Sequence, residues 1–158
     1  MHYPRFAAKR AVPLAAAMVT ALVAACGGIS SQAAMTRSAH AYSQLMNATH
    51  AFARNAKACT ASNRSLACVE AGDEAMSRAY SRFAAAIATV PMPPGAPQTA
   101  ATQVEEAATQ TSRALHDLRS SRTLAQYRIA YGSSPVLGDA SVMQEDYGYL
   151  HHLLVTAG

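Results

Sequence analysis

The chain has 158 residues, 13 of them lysine or arginine and nine of them acidic, which gives a formal net charge of +4. Three of the basic residues lie in the first ten positions, so the part from Cys26 onward carries a formal charge of only +1, with its arginines interspersed among acids. A nucleic-acid-binding domain needs a concentrated basic stripe, so this composition argues against a nucleic-acid partner. The 133 residues from Cys26 onward are enough for one hydrophobic core but not for two domains.

The first 25 residues have the pattern of an export signal. Arg5, Lys9 and Arg10 form a basic start without acids, and the following run 11–25 (AVPLAAAMVTALVAA) is almost entirely apolar. Its fifteen residues are fewer than the roughly 20 that a membrane-spanning helix needs. A basic segment, a short apolar segment and small residues at a boundary are typical of a secretory signal peptide. We therefore expect residues 1–25 to be removed and not to belong to the fold.

The boundary itself, Val23-Ala24-Ala25-Cys26, resembles the lipobox of bacterial lipoproteins. In that family a dedicated peptidase cleaves before the cysteine, whose thiol is diacylated and whose new amino group is usually acylated as well. The resemblance covers residues 1–26 and implies that Cys26 is the lipidated N-terminus of an extracytoplasmic protein, held on the cell membrane or the outer membrane. Two or three acyl chains on one cysteine give lasting attachment, whereas a single chain binds weakly and reversibly. An ordinary signal peptide with a cysteine near its cleavage site, or an uncleaved membrane anchor, also fits these residues.

Residues 26–35 are small and polar without periodicity, which predicts a flexible tether between the lipid and the domain. Beyond them, apolar residues recur at steps of three and four, the spacing of one helix face. This pattern predicts four helices, over residues 36–59, 65–89, 97–130 and 139–156. Ser120 and Ser121 are expected to bend the third helix, and Ser141 with Gln144 resembles a capping box near the start of the fourth.

The predicted fold is all-α, a small antiparallel four-helix bundle over residues 36–158 that follows the signal peptide and the tether. Four amphipathic helices joined by short links are typical of such a bundle. Alanine is abundant and tryptophan is absent. Because alanine favours helices but buries little area, we expect close helix packing around a thin core of modest stability.

Cys59 and Cys68 are the two cysteines that remain once Cys26 carries a lipid. An oxidising envelope favours a disulfide between them. The eight residues between them do not fit a CxxC redox motif, and no second cysteine pair completes a zinc site. The first ends helix one and the second lies in the first turn of helix two, so we predict a disulfide that joins this helical hairpin.

The histidines and methionines do not have the spacing of a metal site. None of the mature chain's histidines has a histidine or an acid three or four residues away, which is the usual spacing of chelating residues on one helix. Met46, Met76 and Met143 lie on the apolar stripes, where core packing explains them without copper. The sequence therefore predicts no metal and no cofactor, although residues on different helices could still converge.

Four tyrosines cluster late in the chain, at Tyr127, Tyr131, Tyr147 and Tyr149. Tyrosine is favoured in binding surfaces because it combines apolar area with a polar tip. Helices three and four are neighbours, so these side chains could line one pocket or one exposed patch for a ligand or a protein partner. The alternative is that they lie at the margin of the bundle with their hydroxyls in water.

No catalytic motif such as GxSxG, SxxK, HExxH or a glycine-rich phosphate loop occurs after the signal segment, so an enzyme is not expected. The sequence predicts a cell-envelope lipoprotein that acts as a non-enzymatic interaction or scaffold module for an envelope protein partner. Such a module needs an exposed apolar or tyrosine-rich patch over a dry core. The alternative is an extracytoplasmic carrier of a small ligand or metal, which needs a cavity between helices; a hydrolase ranks last.

Overall fold

The computed structural model describes residues 30–61 and 65–157, and within these ranges the chain is all-α, as predicted, with no strand. The lipobox and Cys26 lie outside the described residues. In chain order the helices are α1 (Ser31–Ala61), α2 (Leu66–Ala88), α3 (Ala96–Asp117), a 3-10 turn (Leu118–Ser120), α4 (Leu124–Ser133) and α5 (Val136–Thr156).

The four long helices form a bundle in which α1 packs on α2, α2 on α3, α3 on α5, and α5 back on α1. The hydroxyl of Ser31 donates to the carbonyl of Ala157 over 3.3 Å, which places the start of α1 beside the end of α5. Between α2 and α3, the hydroxyls of Ser77 and Ser112 each donate to the other residue's carbonyl, at 2.9 and 2.8 Å. Small side chains at these crossings let the helix backbones approach closely.

Buried alanines occur on α1, α2 and α3. Because an alanine side chain is small, most of the core volume comes from a few larger side chains. An aromatic cluster provides much of it: the ring of Tyr147 stacks on that of Tyr42 with centroids 4.0 Å apart, and Phe83 meets both rings edge-on at 6.1 Å. The largest fully buried apolar side chains are those of Ile87, Val104, Met143, Leu150 and Leu154.

The first and the last helix of the domain both begin earlier in the chain than the sequence predicts. Helix α1 begins at Ser31, so residues 31–35 are helical and not part of a tether; the hydroxyl of Ser30 accepts the amide of Ala33 over 3.2 Å, and Ala34 is fully buried. Helix α5 begins at Val136, so the predicted capping box at residues 141–144 is wrong. There Pro135 starts the helix, and its carbonyl accepts the amide of Asp139 over 2.8 Å.

The third predicted helix is two helices. Helix α3 ends at Asp117, and after the 3-10 turn an extended Ser121 leads the chain into α4. The hydroxyl of Thr123 accepts the amide of Gln126 over 3.2 Å, and the side chain of Gln126 accepts the amide of Arg122 over 2.9 Å. The first bond satisfies an amide that a helix start leaves unpaired, and the second holds the residue before the cap against the first turn, so the new helix is fixed there.

None of the helices within the described ranges is both long and apolar enough to cross a membrane.

Candidate functional site

The structure brings two of the four predicted tyrosines together and separates them from the other two. Tyr127 and Tyr131 lie one turn apart on α4 with their ring centroids 6.0 Å apart. Tyr147 belongs to the buried aromatic cluster of the core, and Tyr149 is 53% exposed on α5. The α4 pair borders a cavity.

That cavity, which we call the disulfide pocket, has a volume of about 300 Å³ and lies where α1 ends and α2 begins. Helix α4 crosses this end of the bundle and supplies one wall. The exposed lining of the pocket is largely apolar. The lining residues are Phe52, Asn55, Ala56 and Cys59 from α1, Cys68, Val69, Gly72 and Asp73 from α2, and Tyr127 and Tyr131 from α4.

The predicted disulfide between Cys59 and Cys68 is present and forms part of the pocket wall, with a Cα–Cα distance of 5.8 Å. It joins the last turn of α1 to the first turn of α2. The start of α2 is capped locally, since the hydroxyl of Ser65 accepts the amide of Cys68 over 3.3 Å. The bond and the cap together hold two walls of the pocket in register.

Gly72 allows the ring of Phe52 to pack directly against the backbone of α2. A Cβ atom at position 72 would lie 3.0 Å from Cε2 of Phe52, a tight contact from which the ring would have to move by a few tenths of an ångström. Glycine is unfavourable in a helix interior by roughly 1 kcal/mol relative to alanine. Here the missing side chain is what lets an aromatic ring reach the pocket wall.

Asp73 is the unusual member of the pocket. Its side chain is fully buried, and neither carboxylate oxygen has a hydrogen-bond partner among the described residues. Buried polar groups are nearly always hydrogen bonded, and an unpaired buried carboxylate is strongly disfavoured. Its presence in the wall of a cavity therefore points to a binding role.

The environment of Asp73 shifts the pKa of its carboxyl upward. Burial raises the pKa of Asp73 above its ordinary value of 3.8. The hydroxyl of Tyr127 acts in the opposite direction and lowers this pKa, although it does not reach hydrogen-bonding geometry with the carboxylate. The negative charge of Glu70 raises the pKa further.

The two tyrosines of the pocket stay protonated at neutral pH. Burial raises the pKa of Tyr127 and of Tyr131, and the nearby charge of Asp73 raises both further. Each therefore presents a neutral ring and a hydroxyl that can donate a hydrogen bond.

Asp73 interrupts a regular apolar pattern in the sequence, but this interruption alone does not identify a binding site. Leu66, Asp73, Tyr80 and Ile87 are spaced one heptad apart, so a carboxylate takes the place of an apolar residue in a row that faces the core. The folded chain places it against the cavity formed by α1 and α4, a contact that the spacing along α2 does not reveal.

The other polar side chains do not converge on a second site of this kind. Within the described residues, no three His, Cys, Asp or Glu side chains lie together as metal ligands. His40 contacts Gln44 one turn along α1, with their side-chain nitrogens 2.9 Å apart, and the ring of His151 lies 6.4 Å from that of Tyr147. Asp73 stands alone with two neutral tyrosines, an arrangement suited to binding.

Comparisons of this chain with protein-family models, with curated proteins and with solved structures give no match. The chemistry of the disulfide pocket itself is therefore what points to a function.

Proposed function

We propose that this chain is a lipid-anchored extracytoplasmic protein whose helical domain binds a small organic molecule in the disulfide pocket. The observation that supports binding is a cavity of about 300 Å³ with a largely apolar lining and one fully buried, unpartnered carboxylate. Ligand pockets in proteins are typically concave, mostly apolar and equipped with a few polar groups, with volumes from roughly 300 Å³ upward. The residues that pair with the ligand are Asp73, Tyr127 and Tyr131.

The surface gives less support to a scaffold module. Within the part of the chain that the structure describes, the large hydrophobic side chains that remain exposed are Ile129 on α4 and Leu137, Val142, Tyr149 and Val155 on α5. The α5 residues are spaced by five, seven and six positions, which does not place them along one helix face. Single exposed apolar residues are normal on a protein surface, so they do not define a docking patch.

Filling the pocket should abolish ligand binding. Val69 lies in its wall, so Val69→Phe places an aromatic ring in the space that a ligand needs. We expect small aromatic fragments that bind the purified protein in a ligand-observed NMR screen to lose about tenfold or more in affinity for this variant. Ala114→Phe is the matched control, because Ala114 borders a separate open groove between α3 and the link from α4 to α5.

The screen decides the binding proposal in either direction. Fragments that bind the wild-type protein and the Ala114→Phe variant but not Val69→Phe place the site in the disulfide pocket. Equal binding to all three proteins moves the site elsewhere, and a complete lack of binding fragments refutes a ligand-binding role.

The lipid anchor is tested at Cys26, the last residue of the lipobox-like boundary. Cys26→Ser removes the thiol that acyl chains would occupy, so we expect radiolabelled palmitate incorporation to be lost and the protein to leave the membrane fraction. Cys59→Ser and Cys68→Ser together serve as the control and should keep the label. Persistent labelling of Cys26→Ser, or a cytosolic protein that retains residues 1–25, contradicts the proposed anchor.

A further inference from the structure

We propose that the ligand of the disulfide pocket is a compact organic cation, a protonated amine or a quaternary ammonium group on a small apolar body, whose positive charge pairs with Asp73. This inference rests on the proposed binding function and adds to it the charge class of the ligand.

The charge of the pocket wall favours a cation over a neutral or anionic ligand. Among the described residues that line the pocket, none is basic, and Asp73 supplies the only carboxylate. Glu70, one turn before Asp73 on α2, adds negative potential at the same carboxylate. A buried carboxylate needs a counter-charge with good hydrogen bonds. Among the described residues, neither oxygen of Asp73 has a hydrogen-bond partner. A cationic ligand provides one, whereas an anion is repelled.

The aromatic side chains of the wall suit the same ligand. A cation is attracted to the face of a tyrosine or phenylalanine ring within about 6 Å of its centre. Tyr127, Tyr131 and Phe52 all line the pocket, and the two tyrosine rings are inclined by only 24° to each other. A carboxylate combined with aromatic rings recognises an ammonium group, and the apolar remainder of the wall receives the hydrocarbon body.

The volume limits the size of this body. About 300 Å³ is at the lower end of the range for ligand pockets, so the pocket encloses only a compact group. An amine carrying one ring or a short branched chain matches the space.

Binding of such a cation is coupled to a proton at Asp73. The titratable groups that act on this carboxyl are Glu70 on its own helix and Tyr127 on α4, while α1 contributes only uncharged residues to the wall. The cation pairs with the ionised carboxylate, whereas burial raises the pKa of Asp73 and so favours its protonated form. Affinity should therefore fall as the pH falls through the pKa of Asp73.

The test compares three probes of similar shape and different charge, 2-phenylethylammonium, 2-phenylethanol and phenylacetate, by calorimetric titration of the purified full chain at pH 7.5. We expect the ammonium probe to bind about tenfold or more tighter than the alcohol, and phenylacetate to bind most weakly. In Asp73→Asn the ammonium probe should lose that advantage, while the affinity for the alcohol stays within about threefold of wild type. Circular dichroism establishes that the variant is folded.

A second variant tests the role of negative charge without changing the buried residue Asp73. Glu70→Gln removes a charge outside the pocket wall, so we expect it to weaken the ammonium probe by about twofold and to leave the alcohol unchanged. Sodium, potassium and calcium chlorides are titrated at constant ionic strength as inorganic competitors, and none should displace the ammonium probe.

Each outcome is decisive. If 2-phenylethanol binds wild type as tightly as the ammonium probe, the cation inference fails while the binding function stands. If the ammonium probe keeps its advantage in Asp73→Asn, Asp73 is not its counter-ion and the inference is overturned. Displacement by an inorganic ion replaces the organic cation with a metal ion. Absence of binding by all three probes overturns the inference, while the fragment screen decides the proposed function separately.

Discussion

Replacing Phe83 with alanine is expected to lower the free energy of unfolding by roughly 3–5 kcal/mol. The Phe83 side chain is 2% exposed and meets the rings of Tyr42 and Tyr147, each at 6.1 Å. Phe83 lines one groove together with four alanines, whose short side chains cannot extend into the vacated space: Ala41, Ala48, Ala79 and Ala86. The lost transfer free energy is therefore accompanied by a cavity that does not collapse.

This loss is a large part of the total stability, since small domains unfold with about 5–15 kcal/mol. Urea denaturation followed by circular dichroism measures it. Ile129→Ala is the matched control, because Ile129 is 73% exposed and its truncation should change stability by less than about 0.5 kcal/mol. A loss below about 1 kcal/mol for Phe83→Ala would show that the aromatic cluster is not the centre of the core.

Removing the disulfide with Cys59→Ala and Cys68→Ala together should cost roughly 2–3 kcal/mol. The two residues are nine positions apart, so the bond closes a short loop and restricts the unfolded chain. The same bond ties α1 to α2 beside the pocket, so its loss should also weaken ligand binding. Denaturation of the variant and of the wild type, each with and without reductant, measures the contribution.

Reductant provides the internal control for the disulfide. Reduced wild type should unfold at the same urea concentration as the double variant, and the double variant should not respond to reductant. Thiol titration of the unfolded, unreduced protein should find Cys59 and Cys68 unreactive. Two free thiols at these positions would contradict the disulfide.

The helical class, the α1–α2 hairpin and the cysteine pair were predictable because they depend on local signals. Apolar spacing, prolines and the positions of Cys59 and Cys68 near helix ends are all features of neighbouring residues along the chain. The start of α4 was also present in the sequence, since Thr123 and Gln126 match the capping-box pattern S/T-x-x-E/Q. This helix start is hard to recognise in the sequence because the apolar spacing of α3 continues as far as Ile129.

Ile129 shows why that extension failed. In a continuous helix from residue 97 to residue 130, Ile129 would lie on the buried face. The interruption at residues 118–123 starts a new helix with a different orientation, and the side chain of Ile129 is 73% exposed. The same break turns Tyr127 and Tyr131 toward the end of the bundle, away from Tyr147. The grouping of the tyrosines thus depends on one capped helix start.

The pocket could not be derived from periodicity, because three helices distant in sequence form it. Phe52 comes from α1, Asp73 from α2 and Tyr131 from α4. Asp73 was visible as an interruption of an apolar row, yet such an interruption also fits a polar residue that finds a partner in the core. Only the folded arrangement shows that this carboxylate is buried beside a cavity without a partner.

The central claim is that Asp73 is a buried carboxyl without a hydrogen-bond partner among the described residues. NMR titration of its side-chain carboxyl carbon in the ligand-free protein tests this claim most directly. The account predicts a pKa above the ordinary value of 3.8. Because the folded state then holds its proton more tightly than the unfolded state, stability should fall as the pH rises from about 3.9 through the raised pKa, and Asp73→Asn should lack this fall. A measured pKa at or below 3.8 would mean that the carboxylate is solvated or already paired, and would contradict the account.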